Sequence, residues 1–454
     1  MNKIFNPDSI AIIGASRKPN SVGQGLVKNL IHGGVFTSRY NKPYKSKIFL
    51  INPNTNNVLG LKSYKNILTI KNKIDLVIIA IPAKFVPSAV RDCIKKKVKG
   101  IIIISAGFSE NNPEGKKLQE EISKSLKKAR IPLIGPNCLG IINTSKVNAS
   151  FAPATPPKGN IAFVSQSGAL ADSVIDWAIS NNYGFSKLIS VGNSANLDVG
   201  DFIEYLSKDK ETKAIAMYIE SLSDGRKFMK AAKKCKKPII VLKGGKTSEG
   251  KSAISSHTGT LAGSYRIYEA AFKQCGVKLV TNVEELFETA QILATISYRI
   301  QNSIGIITNG GGCGVLAADH CESLNIKLAK LSKHTIDKLN RSGKMHPAYS
   351  KNNPLDLVGD ALSERYEAAL DAMLSQSNIH GLIVIETLQT MTEPVNNAKV
   401  IIKAQKKYPK KPIIAVFMGG TFTRPGVNYL DIHKIPNFPY PEKAVLAIKA
   451  LIKA

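Results

Sequence analysis

The sequence predicts an α/β protein, an N-terminal Rossmann-like domain followed by two flavodoxin-like domains, and three observations carry that expectation. Short β-branched runs bounded by Gly, Pro and Asn recur along the chain with helix-length segments between them, as buried parallel strands in βα units do. A group of four sequence patterns appears twice in the same order after residue 150. Finally, 454 residues suit about three domains of ordinary size, placed here at 1–150, 151–300 and 301–454.

In the first third, the apolar runs at 10–13, 48–51, 76–81, 101–104 and 131–134 are each read as a strand of a doubly wound sheet. The first leads into Gly14-Ala-Ser-Arg-Lys-Pro-Asn-Ser-Val-Gly23-Gln-Gly25, placed where such folds bind phosphates through backbone N–H groups. This loop does not fit Gly-x-Gly-x-x-Gly. The second strand ends in Asn52-Pro53-Asn54 and offers no Asp or Glu for an NAD ribose. The loop carries Ser16, Arg17, Lys18 and Ser21, and with Lys47 just before the second strand it suits a bulkier, more anionic nucleotide such as coenzyme A.

The second and third domains read as two copies of one unit. Ile161-Ala-Phe-Val-Ser-Gln-Ser-Gly168 is echoed by Ile304-Gly-Ile-Ile-Thr-Asn-Gly-Gly311, and Leu197-Asp198 by Leu355-Asp356. Ala216-Met-Tyr-Ile-Glu220 is echoed by Ile383-Val-Ile-Glu386, and residues 237–245 by 411–420. Ser165, Gln166, Ser167 and Gly168 in one copy, and Asn309, Gly310, Gly311 and Gly312 in the other, each end a strand and open a helix with small residues. Each set is expected to present unpaired N–H donors to a phosphate, worth about 0.3 to 1 kcal/mol per helix terminus. Asp198 and Asp356 are read as helix N-caps.

The copies differ after their fourth pattern. Gly244-Gly245 leads into a Gly-, Ser- and Thr-rich stretch centred on His257, whereas Gly420 has no comparable histidine after it. An imidazole in such a stretch is expected on a mobile loop, free to accept a phosphoryl group and pass it on. His32, His320 and His433 are assigned no role. Glu220, at a strand end, is expected to accept an N–H from one imidazole nitrogen and leave the other as the nucleophile. Glu386, without a histidine loop, is expected to be structural or a phosphate- or metal-site group.

Composition narrows the partners. The 63 Lys plus Arg against 33 Asp plus Glu give a formal charge of +30, which favours anionic ligands. The Lys runs at 95–97, 233–237 and 406–411, with Tyr408 the one aromatic inside them, read as solvated helix ends, so no nucleic acid is expected. Six scattered cysteines without a Cys-x-x-Cys pair argue against zinc and disulfides, and no apolar run approaches the roughly 18 residues of a membrane span. A soluble cytoplasmic protein is expected.

The chain resembles the α subunits of ADP-forming acyl-CoA (acetate–CoA) synthetases and, more distantly, succinyl-CoA synthetase α. The resemblance rests on Ile12-Ile-Gly-Ala-Ser-Arg, Lys47-Ile-Phe-Leu-Ile-Asn-Pro-Asn54, Ile81-Pro-Ala-Lys-Phe-Val-Pro87, Ser105-Ala-Gly-Phe108, Gly135-Pro-Asn-Cys-Leu-Gly140, Val164-Ser-Gln-Ser-Gly168 and Ser255-Ser-His-Thr-Gly259. It implies a coenzyme A site that includes Gly14, Gly23, Asn52, Pro82, Ser105, Ala106, Gly107, Asn137 and Cys138, a phosphorylated His257 partnered by Glu220, and a second phosphate-binding helix in the third domain. The implied reaction converts acyl-CoA, phosphate and ADP into acid, CoA and ATP, reversibly, through an acyl phosphate and phosphohistidine. ATP/ADP and Mg²⁺ are expected mainly on a separate β subunit with an ATP-grasp domain, in an α2β2 assembly acting on a small carboxylic acid. Cys313 and Gly310 depart from the family pattern of Pro and Ala. Three rival readings stand beside it: a non-catalytic acyl-CoA regulatory protein, an NAD oxidoreductase and a nucleic-acid binder. The first needs no His257, the second lacks its glycine fingerprint, and the third lacks aromatic-laced basic patches.

Overall fold

The structure, a computed structural model, describes residues 1–181, 183–258 and 263–453, and at 255–258 the backbone alone. The chain divides into two compact units, Met1–Ala290 and Gln291–Ala454.

The first unit holds two seven-stranded sheets. In the first, the strands run Asn57–Val58, Leu61–Tyr64, Lys47–Ile51, Ser9–Ile13, Leu76–Ile79, Gly100–Ile103 and Leu133–Ile134. From Leu61–Tyr64 onward all neighbours are parallel, and the order 3-2-1-4-5-6 is that of a Rossmann sheet. All five runs expected as strands are present. The short hairpin 57–64 was not foreseen, because two- to four-residue strands give no period to read. Ile10 and Ile12 are fully buried, and burying each such side chain contributes about 1.5 to 3 kcal/mol. Local chemistry sets the helix ends: Ser21 Oγ accepts from Gln24 N to open Val22–His32, and Gly33, at φ 83°, closes it.

The second sheet runs Lys278–Val280, Ile239–Lys243, Ala214–Ile219, Lys158–Ser165, Phe185–Ser190, Gly140–Asn143 and Val147–Ser150. Its last two strands form an antiparallel hairpin from residues that precede 151. The side chain of Asn29, fully buried, ties the helix Val22–His32 to this hairpin by donating to Ser150 O (2.6 Å) and Ala152 O (2.9 Å).

The second unit holds a five-stranded parallel sheet in the order Leu355–Asp356, Gly305–Thr308, Leu382–Thr387, Ile413–Met418 and Asn437–Phe438. Numbered from the first strand of each copy, this sheet and the five parallel strands of the second sheet share the order 2-1-3-4-5, the flavodoxin-like topology. The duplication in sequence is thus a duplication of fold. The Lys runs do fall at helix C-termini, in the last turns of Val86–Lys95, Gly225–Lys234 and Pro394–Lys407.

Two expectations need correction. Asp198 is an N-cap, in a reciprocal capping box with Asp201, but Asp356 is not. Asp356 sits in its strand and Oδ1 accepts from Val358 N (2.9 Å), because Val358, at φ 72°, turns the chain away and the next helix starts only at Ser363. The stretch around His257 is also not a loop throughout, since Ser248–Thr258 is an α-helix that includes the His257 backbone. The His257 side chain and Gly259 lie outside the described residues.

Among the described residues, no helix is long and apolar enough to cross a membrane, and no cluster of His, Cys, Asp and Glu could hold a metal ion.

Candidate active site

The C-terminal ends of the first sheet's strands and the start of the helix Gly168–Ser180 enclose a cavity of about 660 Å³ in the first unit. Pro82, Ser105 and Ala106 line it from the first sheet, with Asn137 and Cys138 from the segment leading to the hairpin. Gln166, Gly168 and Ala169 form its far wall. Ser105 is spent on shape: its Oγ donates to Ile81 O (2.6 Å) and accepts from Ile81 N (3.1 Å). Cys138 is buried, and burial pushes its thiol up to about 12, so it is inert. Gly107, at φ 99°, adjoins this wall and its N–H donates to Glu110 Oε1 (2.6 Å).

The loop after the first strand works through its backbone. Gly14, at φ 97°, and Gly23 approach so closely that a Cβ on Gly23 would lie 2.1 Å from Gly14 O. Ser16 Oγ accepts from Lys18 N (3.0 Å), Ser21 Oγ donates to Lys18 O (2.7 Å), and Asn52 Nδ2 donates to Ala15 O (2.8 Å). These polar side chains therefore hold the loop. The N–H groups of Val22 and Gly23 find no acceptor among the described residues, and Arg17 and Lys18 are exposed. Amides at a helix start beside two cations suit an anionic nucleotide. Ser21 also lines an adjoining cavity of about 370 Å³, with Lys28 and Phe36.

Lys47 does not join this site. It is the first residue of Lys47–Ile51, pairing with Ser9 at the amino end of the sheet, whereas the loop follows the carboxyl end. The five-residue strand separates the two by about 13 Å, at roughly 3.3 Å per residue. The position just before a strand looked close in sequence, but a parallel sheet places its ligand at the opposite edge.

The two strand-to-helix turns share one hydroxyl bracket and one amide clamp. Ser165 Oγ donates to Ser167 O and accepts from Ser167 N; Thr308 Oγ1 does the same with Gly310. Gln166 Oε1 accepts from Glu220 N (2.6 Å) and Ser221 N (3.0 Å), while Nε2 donates to Ser221 O (2.9 Å). Asn309 Oδ1 accepts from Thr387 N (2.7 Å) and Thr387 Oγ1 (2.9 Å), while Nδ2 donates to Thr387 O (2.9 Å). The amide side chains clamp the neighbouring strand end, each with its oxygen and one of its two N–H groups. Left without an acceptor among the described residues are two N–H groups per turn, Gly168 and Ala169 in the first and Gly311 and Gly312 in the second. Ala169 was missed in the sequence because alanine carries no signal for an amide that is free only by its place in the helix.

Glu220, buried, follows the strand Ala214–Ile219. Two neighbours invisible in the sequence stand beside it. The Tyr218 phenol is pushed up to about 12, by burial first and then by the Glu220 charge and hydrogen bond. Lys243 Nζ donates to Glu220 O (2.8 Å) and lies 4.6 Å from the Tyr268 ring centre; burial holds its ammonium down at about 8 against the opposing pull of Glu220.

Three family descriptions match successive stretches of the chain: "CoA binding domain" over residues 8–144, "Succinyl-CoA ligase like flavodoxin domain" over 158–293 and "Ligase-CoA domain" over 304–453. The α subunit of acetate–CoA ligase [ADP-forming] II from Pyrococcus furiosus is 41% identical, over 100% of this chain and 97% of that subunit. Acetate–CoA ligase [ADP-forming] I of Archaeoglobus fulgidus is also 41% identical, over 99% of this chain, but the chain spans 63% of that protein's length. The solved acetyl-coenzyme A synthetase 1 of Ca. Korarchaeum cryptofilum, in complex with phosphate and ADP, superposes with a TM-score of 0.90 at 33% identity, covering 99% of this chain and 96% of that one. The order of the three matched domains and this full-length likeness to an α subunit show that the chain belongs to the ADP-forming acetate–CoA ligase family.

Proposed function

We propose that this chain is the α subunit of an ADP-forming acyl-CoA synthetase, interconverting acyl-CoA, ADP and phosphate with a carboxylic acid, ATP and CoA. In this reading, residues 1–150 hold coenzyme A through the loop 14–23 and the 660 Å³ cavity, residues 151–300 carry the phosphorylated His257, and residues 301–454 supply the Gly311 and Gly312 amides. The observation that carries it is the cavity itself. Its size suits a small-molecule site, and it ends on the Gly168 and Ala169 N–H groups, which point fixed partial positive charge at a phosphate or acyl phosphate without any side-chain cation.

Glu220, held by the Gln166 clamp, orients the imidazole of His257 by accepting one ring N–H, leaving the other nitrogen to take the phosphoryl group. Nucleotide and Mg²⁺ belong mainly to a β subunit with an ATP-grasp domain, in a cytoplasmic α2β2 complex. A non-catalytic acyl-CoA sensor needs neither a clamped strand-end glutamate nor paired free amides.

The test mixes the chain with the β partner, labelled ATP and Mg²⁺. Acid-labile, base-stable label is expected on the wild type and none on His257→Ala; label persisting on the variant refutes the assignment. Glu220→Gln is expected to slow labelling while leaving CoA affinity intact, and equal loss of both assigns Glu220 to the fold alone.

A further inference from the structure

Asp172 lies one turn beyond Gly168 on the same face of the helix Gly168–Ser180. It lines both the 660 Å³ cavity and the adjoining 370 Å³ cavity, so it stands where the two meet. Its Oδ1 is buried and has no hydrogen-bond partner, and among the described residues Asp172 forms no ion pair. A carboxylate that serves a fold is normally satisfied by a cap, a donor or a cation. Asp172 has none of these. Burial alone raises it to about 6. The other titratable groups that face these cavities are the Cys138 thiol, inert at about 12, and the Lys28 ammonium, which lines only the smaller one.

The proposed reaction requires a proton to move inside the larger cavity. A phosphate oxygen of HPO₄²⁻ forms a bond to the thioester carbonyl carbon, the C–S bond breaks, and sulfur leaves with its electron pair. The P–O–H proton must then reach that sulfur to give acyl phosphate and the free thiol. We infer that Asp172 is the proton relay of this exchange: its carboxylate takes the proton from phosphate, held at Gly168 and Ala169, and delivers it to the departing sulfur. In reverse it takes the proton from the thiol and returns it to phosphate, so the ionised form starts the step in both directions. Ser105, Asn137 and Gln166 line the same cavity but are not basic, and their hydrogen bonds hold backbone or a neighbouring side chain. A carboxyl raised toward neutrality has the proton affinity a relay at pH 7 needs.

The inference rests on the functional reading above, and its test separates the two. In the complex with the β partner, phosphate-dependent release of thiol from acetyl-CoA is followed from pH 5 to 8.5, with HPO₄²⁻ held at one saturating concentration throughout, for wild type, Asp172→Asn and Asp172→Glu, and CoA affinity of each full chain is measured by calorimetry. Wild type is expected to show an acid limb with its half-maximum at or above pH 6. Asp172→Asn is expected to lower kcat about a hundredfold or more and erase the limb, with CoA affinity within about twofold. Asp172→Glu is expected to recover part of the rate together with the limb. A variant Asp172→Asn that keeps a third of the rate, keeps the limb, or loses CoA affinity in proportion to rate overturns the relay alone. Wild type that neither binds CoA nor releases thiol on adding phosphate overturns the functional reading and the relay with it.

Discussion

Glu386 offers a sharp test of how burial acts on a single charge. It lies on the strand Leu382–Thr387 and is fully buried; Oε2 accepts from Asn397 Nδ2 (2.6 Å), while Oε1 and Asn397 Oδ1 have no partner. Burial raises the carboxyl from 4.5 to about 7, the Asn397 bond opposing only part of the shift. The folded state therefore holds the proton more tightly than the unfolded chain. Stability from the protonated form is fully present below pH 4.5 and is lost as the pH rises to about 7. The difference corresponds to about 3 kcal/mol, at 1.4 kcal/mol for each tenfold change in proton affinity. Glu386→Gln keeps the shape without the charge. The variant is expected to match wild type at pH 4.5 and to exceed it by about 3 kcal/mol at pH 8. Urea unfolding with pulsed hydrogen exchange, read on peptides that span Leu382–Thr387, isolates this unit from the other. An offset of equal size at both pH values would refute the reasoning.

Three further outcomes follow from the geometry. Gln166→Ala removes the two acceptor bonds that hold the Glu220 and Ser221 N–H groups, so exchange of these amides is expected to accelerate by about tenfold to a hundredfold, at roughly 1 kcal/mol per bond; unchanged exchange disproves the clamp. Gly23→Ala puts a Cβ against Gly14 O, and CoA affinity measured by calorimetry is expected to drop at least tenfold, with the Gln291–Ala454 unit still folded. Lys187, nearly inaccessible, pairs with Asp209 (3.1 Å) and Glu211 (2.7 Å), and its bond is the chief opponent of the burial that would raise Glu211, holding that carboxyl down at about 2. The stability from that pair is present above pH 4.5 and lost as the pH falls to about 2, so Lys187→Met is expected to cost about 1 to 2 kcal/mol at neutral pH, discounted for the partial exposure of Glu211, and nothing in strong acid; a pH-independent loss measured by urea unfolding points to packing instead.

Much of the architecture was legible because period and punctuation are local. The runs around Ile10 and Leu76 read as buried strands from their β-branched content alone, and the doubled patterns at Gly168 and Gly311 mark two copies of one unit. Short pieces escaped: the strands of the hairpin 57–64 are too short to show a period, and the hairpin 140–150 is tied down by a neighbour far along the chain, Asn29 holding Ser150.

At the candidate site the division is sharper. Sequence by itself determined which turns open helices with small residues, that no NAD carboxylate follows the second strand, and that a histidine-bearing stretch marks only one copy. Tertiary structure alone decided that Lys47 belongs to the far edge of its sheet, that Gln166 and Asn309 clamp strands, and that Asp172 faces the cavity without a partner. The physical reason is that propensity and phosphate-turn chemistry act within a few residues, whereas burial, hydrogen-bond satisfaction and the direction of a strand depend on what the rest of the chain brings alongside.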